Sequence, residues 1–413
     1  MATNDPPATA RLAIGATYAA QGFGYATVVT ALPALKDRQG IDDTAVSLIV
    51  LLVCVAAAAG SVVAEQLATR RGSRTAVGLG LATQAVAVAL VATGTAPVAF
   101  LAGFAAYGLG LGMVDAASGI QGVLAQRALG RPVMSSFFAL YTAAAIVAAL
   151  AMSALAARPG TANWALLVAG AVLAGASWFG RRRLVPHQPG VVEVSGKAEV
   201  SGRAEVSGRA AVAPARAALP LRGIWLFGGV VLVAFVADSA VSTWSSIYLD
   251  DSLRASAAVV PLGYAAYQAA ILVTRIVADR WVHRSGRARV AAIAAAVGAL
   301  GFVPVALLPT PLAAIGGFAL VGVGVGALVP LAFSAAGELA PDRVDEVVAR
   351  VNLFNYAGAV LGAVVVGLIS NGPGLAIAFL LPLVLLAPVA GVARRFAPKP
   401  APATSPVATD AAG

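Results

Sequence analysis

The chain has 413 residues, 60% of them hydrophobic and 11% charged, with a mean hydropathy of +0.87. Soluble domains carry roughly 45–50% apolar and about 25% charged residues, so aqueous cores cannot hide this much apolar surface, and lipid is the simpler solvent. The net charge of +10 does not point to nucleic acid, because the basic residues fall in short clusters between apolar runs, with no basic stripe interleaved with aromatics. The single cysteine, Cys54, lies in an apolar run, which excludes a disulfide within a monomer and leaves no metal-ligand spacing. His187 and His283 both fall in polar segments. A monomer without metal or cofactor is expected.

Apolar segments follow one another along the whole chain. The first half carries them at 12–35, 44–66, 75–94, 97–125, 132–156 and 163–180, and the second at 222–249, 257–282, 288–308, 311–338, 345–370 and 373–393. Each is close to the ~20 residues that cross the hydrocarbon as a helix. Lipid offers backbone N–H and C=O groups no partner, so helices are the expected spanning form. The opening MATNDPPATAR has one basic residue, and the apolar stretch after it is too long for a signal-peptide core. It reads as a retained first helix.

Orientation follows from Lys and Arg. Of 28 such residues, 23 fall in one set of loops and tails, among them Arg70, Arg71, Arg74, Arg181, Arg182, Arg183, Arg280 and Arg284. The opposite set holds Lys36, Arg38, Arg158 and Arg254, and Arg275 lies within a helix. Both termini and the central linker are expected on the cytoplasmic side. That linker contains EVSGKA, EVSGRA and EVSGRA over 193–210, a polar repeat without helical periodicity. The expected organisation is a six-helix half over 1–183, a flexible linker over 184–221, a second half over 222–398 and a disordered tail over 399–413.

A shift of 214 positions lays one half on the other. Gly108-Leu-Gly-Leu-Gly112 falls on Gly322-Val-Gly-Val-Gly326, Ala64-Glu65 on Ala278-Asp279, Arg70 on Arg284 and Gly72 on Gly286. An even number of helices per half brings both halves in from the same side, so they are parallel repeats about an axis along the membrane normal. The glycine run is not half of a dinucleotide fingerprint, since no strand precedes it; close helix packing explains it.

The residues that carry a family resemblance are now in place. Glu65-Gln-Leu-Ala-Thr-Arg70-Arg-Gly72-Ser-Arg74, and more closely Arg275-Ile-Val-Ala-Asp279-Arg280-Trp-Val-His-Arg284-Ser-Gly286-Arg287, resemble the basic loop signature of the major facilitator superfamily. GLGLGMVDAA, GRPVMSSF, VADSAVSTWSSIYL, GVGVGALVPLAFSAAG and NYAGAVLG resemble a prokaryotic inner-membrane subfamily distantly similar to fucose permease. The resemblance implies an all-α membrane protein of twelve transmembrane helices, moving a small solute between its two halves.

An ionisable group in the membrane costs ~2.5–3.5 kcal/mol even on the gentler insertion scale, so each needs a reason. Asp238 falls near the middle of the seventh helix, with Ser242, Ser245 and Trp244 further along; proton coupling, or binding of a cationic or hydroxylated substrate, is expected there. Asp115 is placed in the inner third of the fourth helix, at a different depth, as a latch onto Arg70 or Arg74. Arg275 and Asp279, spaced for an i,i+4 pair, form the matching half of a gate with Glu65, Gly72, Arg280, Arg284, Gly286 and Arg287. Candidate cavity polars are Tyr18, Gln21 and Tyr25 on the first helix, Tyr264, Tyr267 and Gln268 on the eighth, and Asn352, Asn355 and Tyr356 on the eleventh.

No Gly-x-x-x-x-Gly-Lys-Ser/Thr loop is present, so ATP is not the direct energy source. Proton-coupled export of a small organic molecule is one reading, favoured by acidic groups in the membrane interior. Uptake of a sugar or similar polar solute is the other. A membrane-embedded enzyme would need His, Cys or paired carboxylates converging at one depth.

Overall fold

The structure is a computed structural model that describes residues 6–129, 133–156, 158, 160–186, 219–340 and 343–397, with the side chains of 6–8, 127, 279, 344–346 and 349 excepted. The 193–210 repeat and the 399–413 tail lie outside the described residues. Twelve long helices run α1 Pro6–Gln39, α2 Asp43–Arg71, α3 Ser73–Thr93, α4 Pro97–Leu129, α5 Met134–Leu155 and α6 Thr161–Arg183 in the first half. The second half has α7 Leu221–Ile247, α8 Leu262–Ser285, α9 Arg287–Leu307, α10 Pro311–Gly337 and α11 Val344–Ser370. The twelfth, α12, occupies Leu375–Phe396 and is interrupted at Phe379.

Ten of these are long and apolar enough to cross a membrane by composition alone. The other two are α1, which carries Tyr18, Gln21, Tyr25 and several threonines, and α8, which carries Tyr264, Tyr267, Gln268 and Arg275. Both are polar because they face the centre of the bundle. Large apolar side chains such as Val86, Val98 and Leu312 are exposed instead, as a lipid-facing surface requires.

The repeat governs packing down to single contacts. A Cβ on Gly108 would overlap the Val53 carbonyl oxygen, and one on Gly322 the Tyr267 carbonyl oxygen, at the same two positions 214 residues on. Gly112 sits likewise on the backbone of Ala57, and Gly326 on that of Ile271. With no side chain between them, α4 rides on α2 and α10 on α8, backbone against backbone. Gly72 and Gly286 match in the same way: φ is +89° and +78°, and each joins two helices through a conformation that L side chains rarely adopt.

The α2–α3 and α8–α9 turns share one end of the bundle with Arg70, Arg71, Arg74, Arg280 and Arg284, the arginine-rich face. Since α2 ends there, its start at Asp43 lies on the opposite face, together with the end of α1.

Gly112→Leu should prevent folding or lower the thermal midpoint strongly, because overpacking costs ~1–3 kcal/mol even where side chains can give way, and here backbone would have to move. Gly119→Leu, with nothing within 4 Å of its Cβ position, should be tolerated. Thermal unfolding monitored by size-exclusion chromatography separates the two; equal behaviour would contradict the packing.

Candidate functional site

Two aspartates meet the polar faces of α1 and α8 in the interior. On the first half, the Gln21 amide donates to Asp115 Oδ1 at 2.6 Å, and Gln84 of α3 donates to Gln21 Oε1 at 3.1 Å. On the second, the Tyr267 hydroxyl donates to Asp238 Oδ1 at 2.5 Å, and Gln268 donates to the Tyr264 hydroxyl at 2.6 Å. Tyr25 lies within electrostatic range of both carboxylates and approaches Ser242 of α7. Tyr107 lies within electrostatic range of Tyr25 and Asp115, and Tyr141 within range of Tyr264, Tyr25, Asp115 and Tyr107. Tyr18 stacks on Phe137 at 5.5 Å between centroids. Six of the 8 tyrosines therefore surround the two carboxylates.

The two aspartates lie at one level, which corrects the expectation of different depths. Gln21, the partner of Asp115, is one turn before Tyr25 on α1; Asp238 is one turn before Ser242 on the parallel α7; and Tyr25 meets Ser242. The latch expected between Asp115 and Arg70 or Arg74 is also corrected. Helix α4 runs on to Leu129, about 21 Å beyond Asp115 at ~1.5 Å per residue, so the loop arginines stay at the far end. Asp115 is exposed although it points at α1, so the open space it faces lies inside the bundle.

Other expected residues fall elsewhere. Trp244 is not a cavity residue: it is fully buried, donates to the Ala363 carbonyl at 2.8 Å and packs α7 against α11. Asn352 and Asn355 make a long 3.5 Å contact with each other, and Tyr356 is 59% exposed; among the described residues no hydrogen bond brings this trio to the aspartates. Glu65, Arg70, Arg275, Arg280 and Arg284 are exposed, and Arg74 is half-buried. Arg275 is within electrostatic range of Asp238, while the side chain of Asp279 is outside the described residues. Arg287 forms two 2.6 Å hydrogen bonds with Glu338 and holds that carboxyl below its ordinary range.

The sequence reading missed the closure of the opposite face. Lys36, at the end of α1, donates to Asp43 Oδ1 at 2.6 Å and to Asp251 Oδ2, beyond the end of α7. Asp43 also accepts from Ser370 of α11 at 2.8 Å, and Asn371 donates to Thr44 at 2.6 Å. Ser153 of α5 donates to the Ala258 carbonyl. Every one of these bonds except Lys36–Asp43 joins the two halves. Beneath them a Cβ on Gly367 would overlap Ser47 and the Trp244 ring, so α2 and α11 meet without a gap. Arg38 braces the same face from within the first half, donating to the Val91 and Ala92 carbonyls at the end of α3 and to Asn163.

Three comparisons bear on this arrangement. The profile of the Major Facilitator Superfamily matches residues 14–336 and 226–412. An uncharacterized MFS-type transporter of Yersinia pestis is 27% identical over 376 residues, 90% of this chain and 92% of the relative. An uncharacterized transporter of Sinorhizobium fredii is 27% identical over 302 residues, 71% of this chain and 73% of the relative. Among solved structures, a bacterial homolog of the human lysosomal transporter Spinster, inward-facing and unoccupied, superposes with a TM-score of 0.73 at 13% identity over 95% of this chain and 98% of that one. The nucleoside transporter NupG gives 0.66 at 14% identity over 94% and 98%. These likenesses are of fold.

Removing Lys36 leaves Asp43 and Asp251 facing each other. The three side chains are 14%, 17% and 32% exposed, between a surface pair worth about 0–1 kcal/mol and a buried pair whose breakage costs about 3–5 kcal/mol. Lys36→Gln in a Cys54→Ala background, with spin labels at 40 and 372, should lengthen the distance across this face in part of the population. An unchanged distance distribution would contradict the closure.

Proposed function

Because the chain belongs to the Major Facilitator Superfamily and is a membrane transporter rather than an enzyme, we propose that it works by alternating access, exchanging protons for a small organic solute at the level of Asp115 and Asp238. The observation that carries this reading is the pairing of two carboxylates at one depth with a tight seal on one face of the bundle. Basic loops stay cytoplasmic, so the arginine-rich face is read as the cytoplasmic one and the conformation as inward-facing. The inner-membrane location, with both termini inside, follows from the same asymmetry.

Asp238 is assigned the proton. A carboxylate at mid-depth alternates between a costly charged form and a cheap neutral one, and the Tyr267 hydroxyl that donates to it stabilises the charged form. Protonation then changes which packing of the halves is favoured. Export follows if proton and solute bind in alternation, since the proton enters as the solute leaves. Rocking needs each half to move as a body, which the backbone-close glycine contacts support.

Asp238→Asn should abolish pH-gradient-driven transport in proteoliposomes while exchange of solute down its own gradient persists, because the amide mimics the protonated state permanently. Wild-type flux driven by the pH gradient would remove Asp238 from coupling. Labelling of cysteines placed at 37 and at 286 from one side only tests the orientation, with 37 expected to react from outside and 286 from inside.

A further inference from the structure

We propose that Asp115 seats the protonated amine of the transported solute, which makes the substrate class an organic cation with an aromatic or ring-like body. The proposal rests on the transporter reading above and adds the ligand to it.

The case begins with hydrogen-bond accounting. An ionised carboxylate only accepts, so Gln21 must turn its amide nitrogen to Asp115 and its oxygen to Gln84. Gln84 must in turn present its nitrogen to Gln21. One carboxylate thus fixes both amides, and the chain ends on Gln84 Oε1, fully buried and without a donor. The buried Tyr107 hydroxyl, within electrostatic range of Asp115, has no hydrogen-bond partner among the described residues either. Asp115 itself accepts one neutral amide N–H and is left with further acceptor positions toward the open space, where a charged acceptor without a cationic partner is costly.

Charge points the same way, and it separates the two aspartates. Asp238 has the Tyr267 hydroxyl and the field of Arg275. Asp115 has a neutral amide, and among the described residues no Lys or Arg pairs with it. It faces open interior space. A ligand that supplies N–H donors and a positive charge meets the open acceptor positions and the missing countercharge of Asp115 at once; an anion would meet neither. The surrounding body of the site is aromatic: Tyr18, Tyr107 and Tyr141 lie within electrostatic range of Asp115, and Tyr25 within range of both aspartates. Such rings favour a flat or ring-like skeleton next to a cation.

Three probes of one skeleton test this: phenethylamine, 2-phenylethanol and phenylacetate, titrated onto the full-length protein in lipid nanodiscs without any gradient. The amine should bind at least ~10-fold more tightly than the alcohol, the scale of a charge-assisted hydrogen bond, and phenylacetate weakest of all. Asp115→Asn should erase the preference, and Asp115→Glu should keep it. Alcohol or acid binding as well as the amine, no binding of the amine at millimolar concentration, or an Asp115→Asn protein that still prefers the amine would overturn the proposal. Because the wild-type preference is read directly, a variant that fails to fold does not rescue it. Flux is measured separately: a cation preference without pH-driven flux counts against proton coupling alone, and flux without a cation preference counts against the amine seat alone.

Discussion

Lipid does not solvate charge, and the interior of this molecule is arranged around that fact. Asp115 and Asp238 can exist at mid-depth only because α1, α3 and α8 turn their polar side chains toward them. The same requirement makes α1 and α8, the two that face the centre, the least apolar of the twelve helices. What looks like a weakness in the spanning pattern marks the functional interior. Polar groups that a lipid-facing helix could not carry are gathered where the halves meet.

The cohesion within each half differs in kind from the cohesion between them. Inside a half, glycines at positions 108, 112, 322 and 326 bring helix backbones into direct contact, and no side-chain rearrangement can loosen that. Between halves, hydrogen bonds gather on one face around Lys36, and apart from Ser370 their side chains are partly exposed. Moving a two-state equilibrium from 1:99 to 99:1 takes about 5.5 kcal/mol of differential binding. A partly exposed ion pair and a few neutral hydrogen bonds are on that scale, so they can be traded for a proton or a ligand. The glycine contacts are not traded. Rigid halves with an exchangeable seal are what the proposed alternating access requires.

Much of this was legible in the sequence, for reasons that particular residues make plain. The offset of 214 survives because each glycine is fixed by a backbone 214 residues from its counterpart's, so the repeat in sequence is a repeat in contacts. Gln21, Tyr25, Asp238 and Tyr267 were found because a polar residue in an apolar run has few places to go. Trp244 stands six residues after Asp238, about 240° around the helix at ~100° per residue, and so faces α11 rather than the interior, which position along the chain alone does not show. Asp115 was set too near the membrane surface because α4 extends four residues further than its apolar run. Lys36 gave no signal at all. It stands 215 residues from Asp251, and no periodicity within either half encodes a contact between them. Tyr107 and Tyr141 were hidden likewise, as single aromatics whose meaning depends on their neighbours across helices.

The most direct test follows both faces of the wild-type transporter at once. Two spin-label pairs would be placed in liposome-reconstituted protein, one joining the ends of α2 and α11 on the arginine-rich face and one joining their ends on the opposite face. Distances would be recorded as the pH is lowered through the range where carboxylates take up protons. Alternating access requires a reciprocal change, one face closing as the other opens. Distances that stay fixed on both faces, or that lengthen together, would contradict it.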